Sequence, residues 1–152
     1  MIKSTVEEKI KSSSLAIMVI SALGALLSAA VGAADLMGLG KLEDDFSKKM
    51  MIKTAVSTFI GAVILAVAAV IFYRIFISGR PFTHGNIMAV RVIAVLFLLN
   101  SAVPSLVVGA ALGFAKTSII GAGALFNAVL FFFFAEIMRY GNLLQTESDE
   151  TL

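Results

Sequence analysis

Four stretches of this chain, residues 15–34, 54–73, 92–115 and 117–135, contain no charged side chain. A helix of about 20 apolar residues crosses a hydrocarbon core of roughly 30 Å, and each stretch reaches that length. Backbone immersed in lipid must satisfy its own hydrogen bonds, so such runs are read as helices. A helix from a soluble core would carry a polar stripe at 3.6-residue spacing, and these do not. Composition agrees: hydrophobic residues make up 59% and charged residues 14%, against roughly 45–50% apolar usage in soluble domains. Mean hydropathy is +0.99. The expected fold is an all-α integral membrane protein, a four-transmembrane-helix bundle with short loops. Its spans are placed at about 15–36, 54–77, 88–114 and 117–139. No other segment is long enough to build a soluble core, so residues 1–152 read as one membrane-embedded domain.

Several chemistries are excluded at once. Cysteine is absent, which removes disulfides, thiolate metal sites and thiol catalysis. A net charge of +2 is too small to indicate nucleic-acid binding. There is no HExxH, P-loop or GxSxG motif, and the lone His84 has no acid–base partners at ligand spacing. An enzyme is not expected, and neither is a cofactor or a metal. A titrating His84 would act as a pH sensor, while a solvated one would do nothing.

In chain order, residues 1–14 are polar. They would suit the n-region of a signal peptide with 15–27 as its apolar core, but the full spanning length fits a signal anchor better. Span 1 then carries Gly24, Ser28 and Gly32 on one face, a smooth groove for a close helix neighbour. That neighbour is either another helix of the same bundle or a second copy of the chain. Gly38 and Gly40 are expected to end the helix. Leu39, Leu42, Phe46 and Met50 recur at helical steps through the 35–53 loop, which reads equally as a short interfacial helix or as a solvated loop. Glu43, Asp44 and Asp45 lack the ligand spacing of a calcium loop.

Span 2 leaves the membrane through Tyr73 and Arg74, and Gly79 and Pro81 set a turn. Asn86 is expected to cap span 3. Pro104 should kink span 3, with Ser101 or Ser105 satisfying freed backbone groups. Gly109 and Gly113 form a further small-residue face. The short turn at Lys116, Thr117 and Ser118 makes spans 3 and 4 an antiparallel hairpin. In such a hairpin, positions equidistant from the turn share a depth. By that rule Asn100 should meet Asn127 inside the bilayer, and Arg91 should meet Glu136 near its surface.

An even number of spans puts both termini on one side with the 78–90 loop. Lys3, Lys9, Lys11, Arg74, Arg80, Arg91 and Arg139 lie there, against Lys41, Lys48, Lys49, Lys53 and Lys116 on the other. The positive-inside rule then orients both termini to the cytoplasm.

The PF at 81–82 with GN at 85–86, together with AEIMRYGNLLQTESDETL at 135–152, resembles domain-of-unknown-function family 2975. These are small bacterial four-span membrane proteins. The resemblance covers roughly residues 74–152 and is most specific in the tail, at Glu136, Arg139, Gly141, Leu144, Gln145, Glu147, Asp149, Thr151 and Leu152. Residues 36–53 carry no signature of it. Members are often encoded beside a small helix-turn-helix regulator, so the resemblance implies a cytoplasmic partner of that kind in a bacterial inner membrane. It assigns no catalytic residues.

The leading expectation is therefore a membrane-embedded interaction or regulatory protein. Its cytoplasmic face would comprise Arg80, Pro81, Phe82, Asn86, Gly141, Leu144, Gln145, Glu147 and Asp149, with carboxylates offered to a basic partner. The alternative for the tail is a solvated, frayed terminus. The expected partners are the lipid bilayer, the helix-turn-helix regulator and, as a homo-oligomer, a second copy. The alternative function is a small transporter or a toxin-resistance protein, for which Asn100, Pro104 and Asn127 are the only intramembrane features.

Overall fold

The computed structural model of the chain describes residues 2–112 and 121–150. It is an all-α bundle of four long apolar helices: α1 (Ile2–Gly38), α2 (Asp45–Ser78), α3 (His84–Leu112) and α4 (Ala122–Glu150). All four are long and apolar enough to cross a membrane. Gly113, the turn at residues 116–118, Thr151 and Leu152 lie outside the described residues.

Each helix packs on the next in sequence: α1 on α2, α2 on α3 and α3 on α4. Among the described residues no Cα of α4 comes within 8 Å of α1 or α2, so the bundle is open along one side. The core sits at the end where α2 turns into α3. There Ile71, Ile75, Ile87, Val90, Ile93 and Ala135 are buried together, with Ile10 of α1 packed against them. The outward apolar side chains, such as Leu26, Phe126, Val129 and Phe133, stay exposed. That is the expected state of a surface whose solvent is lipid.

The small-residue face of α1 is occupied by α2. A Cβ on Gly32 would fall 3.1 Å from the Phe59 ring and 3.3 Å from the Ala55 carbonyl oxygen, and one on Gly24 would fall 3.2 Å from Leu65. Of the two neighbours the sequence allows for this groove, the structure seats the one within the bundle.

Helix ends depart most from the sequence reading. The 35–53 loop shrinks to a 3-10 turn at Leu39–Lys41 and three linking residues. Phe46 and Met50, placed on an interfacial helix or a loop, belong to the first turns of α2. The cause is Asp44. Its side chain accepts from the Ser47 N–H at 2.8 Å, capping α2 well before the apolar run begins. With Asp45 in the first turn, the acidic cluster is a helix start that complements the positive end of the dipole. Beyond the span placed at about 117–139, α4 likewise runs on through Gly141 to Glu150. Residues 141–150 are therefore a helical extension rather than a frayed tail.

Candidate interaction face

The face is built from the α2–α3 connection. Gly79 closes α2 with φ 66°, the left-handed conformation that glycine adopts without steric cost, and its N–H donates to the Ile75 carbonyl at 2.8 Å. The Ser78 hydroxyl donates to the Arg74 carbonyl at 2.7 Å and accepts from the Arg80 N–H at 3.1 Å. These bonds turn the chain sharply, so that Pro81 and Phe82 fold back over the helix ends.

Thr83 caps α3. Its carbonyl and hydroxyl both accept from the Asn86 N–H, at 3.0 and 3.3 Å. The cap expected at Asn86 is thus three residues too late, because α3 begins at His84. Asn86 itself is fully buried, and its Nδ2 donates to the Pro81 carbonyl at 3.1 Å. It holds the loop from beneath and presents nothing to a partner, so it leaves the proposed surface. Its Oδ1 has no hydrogen-bond partner among the described residues.

Phe82 joins this loop to α4. Its ring lies flat on Gly141, where a Cβ would fall 3.1–3.2 Å from the ring carbons. Glycine inside a helix costs about 1 kcal/mol against alanine, and here the space it leaves is filled by an aromatic ring. Beneath Pro81 and Phe82, a cavity of about 700 Å³ opens between α2, α3 and α4. Ile64, Ile71, Phe97, Phe131 and Phe134 are among its walls, and no lining side chain is polar. Phe97 and Phe131 stack across it with ring centroids 5.2 Å apart.

Arg91 and Glu136 meet. Arg91 Nη2 lies 2.6 Å from Glu136 Oε1, and Arg139 Nε lies 2.8 Å from Oε2 of the same carboxylate. All three side chains are at least a third exposed, so the trio sets the α3–α4 register more than it stabilises the fold. Asn100 and Asn127 do not meet. Asn100 Oδ1 accepts from the Ser57 hydroxyl of α2 at 2.8 Å, and Asn127 Nδ2 donates to the Gly123 carbonyl of its own helix at 2.8 Å. Ser101 is also redirected: its Oγ accepts from the Gly121 N–H at 2.7 Å, tying α3 to the start of α4. Pro104 is fully buried within a helix that continues past it.

On the extension of α4, Leu144 and Gln145 follow Gly141 at the helical step that keeps them on its face. Leu144 is half exposed and Gln145 half-buried. Glu147 is exposed, as is Arg80 on the loop; Asp149 belongs to the same helix. Ser57, Thr83 and the cavity are absent from the sequence reading. The Thr83–Asn86 spacing was a legible cap signal, whereas Ser57 and the cavity depend on which helices become neighbours. Compared with family models, curated proteins and solved structures, the chain matches none.

Proposed function

We propose that this chain is a membrane-embedded interaction protein that docks a soluble partner at one membrane face. The observation that carries the reading is the seat of Phe82 on Gly141. It makes the 79–83 loop and the helical extension of α4 a single surface. Arg80, Pro81 and Phe82 of the loop and Leu144, Gln145 and Glu147 of the extension would then belong to one docking face. A rigid face costs a partner less ordering entropy than two loose segments would. With the sequence's Asp149 and Glu150, the extension is acidic, which favours a basic partner. The resemblance to family 2975 implies a small helix-turn-helix regulator of a bacterial cell as that partner, and the positive-inside bias supports a cytoplasmic loop and termini.

Photo-crosslinkers placed at Leu144 and Phe82 should capture the same soluble protein. Deleting residues 143–152 should abolish that capture while membrane insertion stays intact. A deletion variant that captures and regulates like the parent would count decisively against a docking face. The transporter reading gains nothing from the asparagines: Ser57 and the Gly123 carbonyl take up the polar groups on which it would rest.

A further inference from the structure

The other face of the α2–α3 pair carries a second opening, which shares no residue with the cavity under Phe82. It is a groove of about 490 Å³ whose walls include Val63, Val67 and Val70 of α2 and Met88 and Val92 of α3. At its loop end stand Arg74 and Gly85. Three features of this groove belong together.

The first is charge. Among the described residues no carboxylate pairs with the Arg74 side chain, while its backbone carbonyl accepts from the Ser78 hydroxyl. The second is where that guanidinium lies. A Cβ on Gly85 would fall 3.1 Å from Arg74 Nη1, so the cation is drawn sideways onto the first turn of α3 rather than extended along its own helix. The start of a helix is its positive end. A guanidinium resting there adds to that positive field, and an anion lying beside the two would be drawn to both. A snorkelling arginine would instead reach outward into headgroups of any kind. The third is length. From Arg74 back to Val63, α2 rises about 16 Å, close to the depth of one leaflet of a core roughly 30 Å thick.

We propose that this groove is a binding site for one anionic phospholipid, with its headgroup phosphate at Arg74 and one acyl chain lying along Val63, Val67, Val70, Met88 and Val92. A transmembrane helix of a partner does not suit it. Such a helix would bring apolar side chains to the guanidinium and no counter-charge. A chain of methylenes headed by a phosphate fits both the dimensions and the charge. Basic sites between spans at the cytoplasmic surface are a recognised place for anionic headgroups.

The test is native mass spectrometry of the full chain released from nanodiscs that contain equal amounts of phosphatidylglycerol and phosphatidylcholine with matched acyl chains. The parent protein should retain phosphatidylglycerol over phosphatidylcholine by about fivefold, the effect of one basic side chain at an anionic site. Arg74→Gln should bring that ratio to about one, and Arg139→Gln, whose side chain already holds Glu136, should leave it unchanged. Ala89→Phe, which fills the groove, should lower retention of both lipids. A parent ratio near one overturns the proposal, as does a preference that survives Arg74→Gln. Should Arg74→Gln fail to insert, the parent ratio and the Ala89→Phe variant still decide it.

Discussion

At the scale of single residues, the glycines divide into those that a neighbour needs and those that none does. Gly32 admits the Phe59 ring and the Ala55 carbonyl, whereas a Cβ on Gly61 would meet nothing within 4 Å. Gly61→Ala should therefore recover helix propensity and stabilise by about 0.5–1 kcal/mol. Gly32→Ala should overpack the α1–α2 seam and destabilise by about 1–3 kcal/mol. Unfolding in mixed detergent micelles would measure both, and equal effects would contradict the packing described. Asp44 offers a second test. The hydrogen bonds from Ser47 and from the Phe46 N–H, and after them the nearby Lys48 charge, hold its carboxyl below the usual value of 3.8. A carboxyl depressed in the folded state contributes stability that is fully present above its unfolded pKa. That stability is lost as pH falls through the lower folded value. Amide protection at the start of α2 should thus be level above about pH 5 and decline below about pH 4. Asp44→Asn, which keeps an acceptor but cannot ionise, should abolish the decline.

At the scale of elements, the instructive case is the pair of asparagines. Arg91 and Asn100 are nine residues apart, as are Glu136 and Asn127, and nine residues make about two and a half turns. Equal depth therefore comes with opposite faces: once Arg91 and Glu136 meet across α3 and α4, both asparagines must turn away. The depth rule counted rise and ignored rotation. Asn100 consequently reaches α2, and a double-mutant cycle of Ser57→Ala with Asn100→Leu should return about 0.6 kcal/mol, with 1.7 as a ceiling. Asn127→Leu should cost less than Asn100→Leu, since it gives up only a bond within its own helix. The same case shows what was legible. Hydropathy located four helices because lipid imposes helix on any long apolar run. It did not record that the helices start at Asp44 and Thr83 and run on past Gly141, because capping and neighbours, not lipid, decide where a helix starts and stops. Phe82 and Gly141 lie far apart in the sequence. That they touch depends on how α3 and α4 fold back, and no local pattern records it.

At the scale of the whole molecule, sidedness can be tested without knowing a partner. Phe82 rests on Gly141, and Ile10 packs against the core cluster that includes Ile71, Ile75 and Ile87. These contacts bring the start of α1, the 79–83 loop and the end of α4 to one end of the bundle, while Leu39–Lys41 and Asp44 lie at the other. The helices also outrun the bilayer: at 1.5 Å per residue, α1 and α2 are each about 50 Å long or more, against a hydrocarbon core of roughly 30 Å. Their ends must then stand in the headgroups or in water, where a probe can reach them. The chain has no cysteine, so single replacements label cleanly. Ser4→Cys and Ser148→Cys should react with an impermeant maleimide from the same side and Ser47→Cys from the opposite side. Seven basic residues against five favour the first two as cytoplasmic. Labelling of Ser47→Cys together with Ser148→Cys would break the four-crossing arrangement, and with it the docking face, since the loop and the α4 extension could no longer share a surface. Reversed labelling of all three would keep the surface intact and move it across the membrane, out of reach of any cytoplasmic regulator.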